Sequence, residues 1–278
     1  LNYTVAPTTT TGSYSLSASA GAASIIVGGS STITATLTNT GAGTADTLNY
    51  SALAVGNGVT ISPATGSSLA QGASGTGTGA FTTLTAGTYT LTPSATVTNA
   101  TLGGAAVQTG TTSATVTAYA HSNGSLDGGP TPLTSATISL GQWDWQTNTW
   151  TSGSGSNSFS LFNLASTTPA SLTASLDVTG TSFSGDAGFT TNFNLASYSL
   201  IAGGTSANYL ASFTPSGTTS GTFTATFTFQ TADQNLPGKT AGTPLTLTAT
   251  VVVVPEPATI ALAGVGIAAA VFALRRRR

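Results

Sequence analysis

Residues 222–229 read TFTATFTF, and this alternation decides the fold class of the chain. An apolar residue and a threonine take turns, so the two residue types lie on opposite faces of an extended strand. The same pattern occurs at residues 32–38 (TITATLT) and 245–251 (LTLTATV). Glycine, serine, asparagine and proline cluster between such runs, and no stretch before the C-terminal tail has a helical period. The sequence therefore predicts an all-β body with threonine on its polar faces.

An internal repeat divides this body into two similar halves. Three pairs of segments correspond: 34–39 with 158–163, 86–91 with 220–225, and the hydroxyl-rich closing strands 113–119 with 245–254. Two copies of one strand pattern predict two tandem β-sandwich domains.

Composition and the repeat suggest where one segment of the chain ends and the next begins. We predict an N-terminal strand segment at 1–21, β-sandwich 1 at 22–120, a linker at 121–136, β-sandwich 2 at 137–254 and a tail at 255–278. The linker is rich in Asn, Gly, Asp and Pro. Residues 1–3 read LNY, as residues 48–50 do. The end of an earlier repeat is therefore one interpretation of the N-terminal segment.

The charge of the chain excludes nucleic acid as its main partner. Only 4% of the residues are charged, and residues 1–254 carry six Asp and one Lys, a net charge of 1 − 6 = −5. Basic patches dominate nucleic-acid binding, and this body has none. The chain contains no cysteine, so it forms no disulfide and does no thiolate chemistry.

The C-terminal tail has three parts in a fixed order. Pro255, Glu256 and Pro257 come first, and two prolines around one residue favour an extended break. The 17 uncharged, mostly apolar residues 258–274 follow and predict a short transmembrane helix. The chain ends with Arg275, Arg276, Arg277 and Arg278, which predict a cytoplasmic end and a body on the other side of the membrane.

This tail resembles the PEP-CTERM sorting signal of Gram-negative exopolysaccharide producers. The resemblance implies that a membrane-embedded exosortase recognises the tail, removes it and passes the body towards the cell surface or the extracellular matrix. A plain membrane anchor is the alternative interpretation. The two repeats also resemble the immunoglobulin-like choice-of-anchor domains, through residues 159–164 (FSLFNL) and 221–223 (GTF). That resemblance implies a sandwich of seven to nine strands and no particular chemistry.

The residues needed for common catalytic sites are scarce. His121 is the only histidine and lies in the predicted linker, so a Ser-His-Asp site has one candidate base. The six aspartates are isolated from one another in sequence, and Asp127 and Asp233 have the surroundings of turn residues. We therefore predict no enzyme activity, no cofactor and no metal site. A secreted hydrolase would require folding to bring two carboxylates together.

All three tryptophans lie in residues 142–150, QWDWQTNTW. Exposed indole rings beside amide and carboxylate groups suit sugar rings, so Trp143, Trp145 and Trp150 are candidates for carbohydrate binding. Trp143 and Trp145 would share one face of a strand, however, and packing over the second core is the alternative.

The leading functional hypothesis is an exported, non-enzymatic structural protein of the cell surface or extracellular matrix. A carbohydrate-binding surface adhesin is the alternative. The expected partners are an exosortase, exopolysaccharide, the membrane through the tail before processing, and other copies of the chain through weakly charged β edges.

Overall fold

The computed structural model describes residues 8–165, 168–217 and 219–255. The predicted transmembrane helix at 258–274 and the residues Glu256, Pro257 and Arg275 to Arg278 lie outside the described residues. Within them the fold is all-β, as predicted, with nineteen strands and one short 3-10 helix at Ala170–Leu172. No helix in these three ranges is long and apolar enough to cross a membrane.

The chain forms two compact units, and each unit is built from three separate segments of the sequence. The first unit comprises Leu1–His121, Thr167–Ala174 and Asp233–Thr240, and the second comprises Ser122–Ser166, Ser175–Ala232 and Ala241–Arg278. The two short segments, Thr167–Ala174 and Asp233–Thr240, are joined to the rest of the first unit by backbone hydrogen bonds. The Ile26 N–H donates to the Pro237 carbonyl at 2.8 Å, and the Ala120 N–H donates to the Leu172 carbonyl at 2.8 Å.

Ten strands build the first unit. They are β1 (Ser13–Ala20), β2 (Ser24–Ile26), β3 (Ser30–Asn39), β4 (Leu48–Ala54), β5 (Gly66–Leu69), β6 (Ser74–Thr82), β7 (Gly87–Leu91), β8 (Ser94–Asn99), β9 (Val107–Thr112) and β10 (Ala114–Tyr119). They pair in three sheets, with the orders β6-β3-β1-β9, β2-β10-β7 and β5-β4-β8. Strands β1 and β9 are parallel, as are β2 and β10, whereas the other neighbouring strands in these three sheets are antiparallel.

Nine strands build the second unit. They are β11 (Gly124–Ser125), β12 (Ser135–Asp144), β13 (Thr149–Gly153), β14 (Ser156–Asn163), β15 (Leu176–Gly185), β16 (Phe189–Thr191), β17 (Thr205–Phe213), β18 (Gly221–Asp233) and β19 (Leu245–Val254). They form a four-stranded sheet, β11-β14-β17-β16, and a five-stranded sheet, β13-β12-β19-β18-β15. Apolar side chains from both sheets form one core, so this unit is a sandwich.

The alternating runs of the sequence lie where the strand prediction put them. In β3, Ile33, Ala35 and Leu37 are fully buried, and in β18 the side chain of Phe229 is 1% exposed. The threonines between them face away from the core. Alternation alone was sufficient for this prediction because one face of each sheet is buried and the other is solvated.

The segments at the predicted domain edges take part in the sheets. Strand β1 lies within residues 1–21, and it pairs along its length with β3 of the first unit. Strand β11 lies within the predicted linker and pairs with β14 of the second unit. The proposed boundaries at 22, 120, 137 and 254 stay a prediction from composition.

Candidate functional site

The three tryptophans lie on a hairpin of the second unit. Trp143 on β12 is the direct cross-strand partner of Trp150 on β13, and their ring centroids are 5.3 Å apart at an interplanar angle of 59°. Trp145 lies in the turn, because β12 ends at Asp144. The expected pair on one strand face, Trp143 and Trp145, is therefore replaced by a cross-strand pair of Trp143 and Trp150.

The turn of this hairpin is held by Asp144, whose side chain is 2% exposed. Its Oδ1 atom accepts hydrogen bonds from the N–H groups of Gln146 at 2.9 Å and Thr147 at 3.4 Å. Asn148 closes the turn with a φ of 56°, a conformation that asparagine tolerates better than most residues. Aspartate in this arrangement forms an Asx turn. This carboxylate is therefore engaged in shaping the hairpin.

The tryptophans differ in what surrounds them. Trp150 packs against the hydrophobic core of the second unit, and a Cβ atom added at Gly155 would lie 2.2 Å from its ring. The indole Nε1 of Trp145 is buried and has no hydrogen-bond partner among the described residues. All three side chains are half-buried. All three thus keep partly exposed surfaces, and Trp150 in addition packs on the core.

Each of the six aspartates accepts at least one hydrogen bond from a nearby donor. The donors are the Thr101 and Leu102 N–H groups for Asp46, the Gly129 N–H for Asp127, the Gln146 N–H for Asp144, the Tyr198 hydroxyl for Asp177, the Thr224 N–H for Asp186 and the Thr240 N–H for Asp233. Five of the six thus bond backbone N–H groups, which is typical of aspartates that shape loops.

Two of these contacts shift pKa values. Burial of the Asp46 carboxyl opposes ionisation, but the hydrogen bonds from Leu102 and Thr101 outweigh this and lower its pKa from the ordinary value of 3.8. Burial of the Tyr198 hydroxyl, together with its hydrogen bond to Asp177, raises the pKa of Tyr198 to about 12. Tyr198 also accepts the Val178 N–H, so it joins a loop to the start of β15.

His121 forms a cluster with two residues of the first unit. Its Nδ1 atom lies 2.7 Å from Asp233 Oδ2 and 3.2 Å from Thr240 Oγ1. The Asp233 side chain is 2% exposed and the His121 side chain 44%. In a catalytic triad the carboxylate and the nucleophile bond opposite nitrogens of the imidazole. Here both oxygens meet the same nitrogen, so the cluster has the geometry of a structural clamp.

Serine and threonine hydroxyls from three neighbouring strands form a regular array on the outer side of one sheet in the first unit. Strand pairing aligns them in three rungs, Ser15–Thr38–Ser74, Ser17–Thr36–Thr76 and Ser19–Thr34–Thr78. Residues in such an array lie about 4.8 Å apart across the strands and about 6.6 Å apart along them. We call these nine residues the first hydroxyl face.

The second unit carries a matching array on strands β12, β19 and β18. Its rungs are Ser135–Thr246–Thr228, Thr137–Thr248–Thr226 and Ser139–Thr250–Thr224. We call these nine residues the second hydroxyl face. All eighteen residues of the two faces are exposed or half-buried, and none is charged. The threonine alternation in the sequence showed which side is polar, but only the strand register reveals that the hydroxyls line up across three strands.

The sorting segment begins where the last strand of the second unit ends. Strand β19 ends at Val254, and Pro255 follows it as an exposed residue without regular structure. The extended break predicted from the two prolines otherwise lies outside the described residues and stays a prediction.

One family matches the chain, at this C-terminal end. The PEP-CTERM protein-sorting motif matches residues 253–278. The motif implies export, processing by an exosortase and a location at the cell surface or outside the cell. The resemblance inferred from the Pro-Glu-Pro triplet, the apolar stretch and the arginines is thereby confirmed.

Several solved structures resemble parts of the fold, and no curated protein matches the chain. A protein of unknown function from Porphyromonas gingivalis is 11% identical, with a TM-score of 0.32 over 85% of this chain and 98% of that one. CfaE, the adhesive subunit of CFA/I fimbria of enterotoxigenic Escherichia coli, is 11% identical, with a TM-score of 0.31 over 87% of each chain. The Escherichia coli adhesin FdeC is 19% identical, with a TM-score of 0.29 over 87% of this chain and 64% of that one. These TM-scores are low, and the all-β assignment rests on the strand pairing of this chain.

Proposed function

We propose that this protein is a non-enzymatic structural component of the cell surface or extracellular matrix, and that its two hydroxyl faces contact neutral exopolysaccharide. The observation that carries the proposal is the recurrence of the same array of three rungs in both units. The polar sides of sheets usually carry a mixture of charged and uncharged residues. Two arrays of nine hydroxyls without a charge favour a neutral, hydroxyl-rich partner over a charged one.

The chemistry of threonine supports this choice of partner. Each hydroxyl both donates and accepts a hydrogen bond, as sugar hydroxyls do, and each threonine also offers a methyl group to the apolar face of a sugar ring. Repeated weak contacts along a polymer add up through multivalency. The two faces therefore suit a long polysaccharide better than a single sugar.

The positions of the ionisable groups support a role without catalysis. The carboxylates accept hydrogen bonds that shape loops, and the His121 cluster lacks the two-sided imidazole geometry of a triad. General acid and base work requires groups that face a substrate. The exosortase motif supports delivery of such a scaffold to the outside of the cell.

Co-sedimentation with purified, neutral exopolysaccharide from a producing bacterium tests this proposal. The double variant Thr36→Glu/Thr248→Glu places one carboxylate at the centre of each face and should lose most of the binding, because each charge must be desolvated against an uncharged polymer. The matched control is Thr96→Glu/Ser158→Glu, which adds the same charges at exposed hydroxyl residues on β8 and β14, outside both faces. Equal binding by all three proteins, or no binding by the unchanged protein, would refute the proposal.

A carbohydrate-binding adhesin is the second candidate, and it is favoured by the partly exposed Trp143 and Trp145 at the end of the hairpin. A glycan array separates the two candidates. Binding that disappears in Trp143→Ala/Trp145→Ala but persists in the Thr36→Glu/Thr248→Glu variant would favour the adhesin. Full binding by the tryptophan variant would remove that candidate.

Self-association through sheet edges is part of the proposed scaffold role. Strand β9 is the last strand of its sheet, all six of its residues are exposed, and none of them is charged. Natural edge strands are often protected by lysine or other charges. The lack of such charges supports pairing of this edge with another copy of the chain.

A further inference from the structure

A groove of about 350 Å³ opens into the second unit between its two sheets. Its apolar lining consists of five phenylalanines, Phe183, Phe189, Phe193, Phe227 and Phe229, and hydroxyl residues of β15 and β16 complete it. Phe229 belongs to the core at 1% exposure, whereas Phe183 is 49% exposed. The rings of Phe183 and Phe227 lie 5.4 Å apart. The groove thus leads from the surface to the aromatic core.

The walls of the groove are two sheet edges. Strand β15 is the last strand of the five-stranded sheet, and β16 is the last strand of the four-stranded sheet. The beginning of β15 is covered, because Leu176 exchanges backbone hydrogen bonds with Ile201 and the Tyr198 hydroxyl bonds the Val178 N–H. The groove lies further along, beside residues 181–183. Edge backbone next to an apolar groove is the geometry that accepts an added strand.

The chemistry of the lining selects the kind of strand. No residue of the lining is charged, and its walls combine phenylalanines with hydroxyl residues. An extended segment with apolar residues at every second position would insert those side chains among the phenylalanines and leave the polar ones outside. A charged segment would lose hydration without gaining a partner.

Residues 1–5 of the chain, LNYTV, have this pattern. Leu1, Tyr3 and Val5 alternate with two polar residues, and the segment carries no charged side chain. The same tripeptide, Leu-Asn-Tyr, occurs at residues 48–50 on strand β4. There the leucine is fully buried and the tyrosine 6% exposed in the core of the first unit. This chain therefore already uses that tripeptide as a strand whose leucine and tyrosine fill a β-sheet core.

We propose that the phenylalanine groove of one molecule accepts residues 1–5 of a second copy as an added strand. Leu1, Tyr3 and Val5 enter the groove, and their backbone extends the edge of β15 or β16. The strand and the groove are different surfaces, so the contact is heterologous. Heterologous contacts propagate into open chains unless the rotation closes a ring. The inference is independent of polysaccharide binding and predicts linear assembly of the protein.

Sedimentation velocity of the full chain in detergent tests this assembly. Every protein in the experiment carries Val107→Lys, so that pairing through the β9 edge does not contribute, and the unchanged protein here is unchanged at all other positions. The unchanged protein should form concentration-dependent oligomers. The strand variant Leu1→Ser/Tyr3→Ser and the groove variant Phe183→Ser should each need at least tenfold higher concentration to associate. The matched controls are Asn2→Ser, at an outward position of the inserted strand, and Leu84→Ser, at a residue that is 88% exposed in the first unit. Both controls should assemble as the unchanged protein does.

Mixing the two defective variants gives the sharper result. The strand variant keeps an intact groove and the groove variant keeps an intact strand, so a one-to-one mixture should form a dimer and no longer species. Circular dichroism of each variant checks that it is folded. Assembly of both variants like the unchanged protein, or no dimer in the mixture, would overturn the proposal. A chain that stays monomeric at every concentration would overturn it as well.

The absence of cysteine in the natural sequence allows a direct check of the geometry. A Tyr3→Cys chain mixed with a Phe183→Cys chain should form a disulfide-linked dimer on oxidation that carries one copy of each, whereas Tyr3→Cys mixed with Thr96→Cys should not. Equal cross-linking in the two mixtures would contradict insertion at the groove. Polysaccharide co-sedimentation of the same variants should be unchanged, so failure of this inference and failure of the proposed function remain distinguishable.

Discussion

Asn39 and Asn163 make the same pair of hydrogen bonds in the two units. Each is fully buried at the end of its strand, and each donates its side-chain Nδ2–H to a carbonyl, that of Leu69 at 3.0 Å and that of Ile201 at 2.9 Å. The backbone carbonyl of each asparagine accepts the N–H of the glycine that lies three residues after that leucine or isoleucine, Gly72 or Gly204. The two units therefore share a buried amide clamp.

The clamp predicts that Asn39→Asp and Asn163→Asp each destabilise the protein by about 1–3 kcal/mol at neutral pH, because a carboxylate cannot donate to the Leu69 or Ile201 carbonyl and is left without that bond. The buried carboxylate has a raised pKa in the folded state, so its penalty should grow as the pH rises above the unfolded-state pKa and shrink in acid. Chemical unfolding at pH 7 and pH 4 measures this. A penalty that is equal at both pH values would contradict the clamp.

The hydrogen bonds of Asp46 predict a stability term with the opposite pH dependence. Because its pKa is lowered in the folded state, the carboxylate stabilises the protein above its ordinary pKa of 3.8, and this stabilisation is lost as the pH falls through the folded-state value. Asp46→Asn should therefore be less stable than the unchanged protein at pH 7, and the difference should shrink as the pH falls from 3.8 towards 2. Thermal unfolding of both proteins across this range measures the difference, and a constant difference would be the contrary result.

The tryptophan hairpin predicts different costs for two substitutions. Trp150→Ala should cost about 2–3 kcal/mol, because a ring that packs on the core is removed. Trp145→Phe should be close to neutral or slightly stabilising, since it removes a buried N–H that lacks a partner among the described residues. Denaturant unfolding monitors both variants. A larger loss from Trp145→Phe than from Trp150→Ala would contradict the assignment of Trp150 as the packing residue.

The uncharged edge of β9 predicts that one added charge weakens self-association. Val107 is 59% exposed on this strand, and Val107→Lys should raise the concentration needed for lateral association without changing stability by more than about 0.5 kcal/mol. Val107→Thr is the neutral control. Light scattering against concentration gives the comparison, and equal scattering from the lysine and threonine variants would show that this edge is not used.

The strands and their polar faces could be predicted from the sequence because the signal is local. Strands such as those around Ile33 and Phe229 show an alternation of apolar and hydroxyl residues. The division into units could not be predicted. The segment Asp233–Thr240 belongs to the first unit, where the Ile26 N–H donates to the Pro237 carbonyl. No local sequence pattern encodes a contact between residues so far apart in the chain. The same is true of the hydroxyl faces, whose rungs depend on cross-strand register.

The tryptophans show a second limit of prediction from sequence, namely where a strand ends. Alternation alone extends β12 through Trp145, but the Asx turn of Asp144 ends the strand one residue earlier. The aspartate therefore decides which tryptophans meet, and Trp143 faces Trp150. The short segment Asp144-Trp145-Gln146-Thr147-Asn148 contains two common turn residues, Asp and Asn, which is the signal that could have located this turn.

A surface or matrix role requires that the body reaches the outside of the cell and that the tail does not go with it. The most direct test is mass spectrometry of the mature protein recovered from the surface or matrix of a native host. We expect peptides up to the region of Pro255 and none from the apolar stretch or the arginines after it, because the exosortase motif covers residues 253–278 and Pro255 is exposed beyond the last strand. Recovery of surface protein that still ends in Arg275 to Arg278 would contradict removal of the tail by an exosortase.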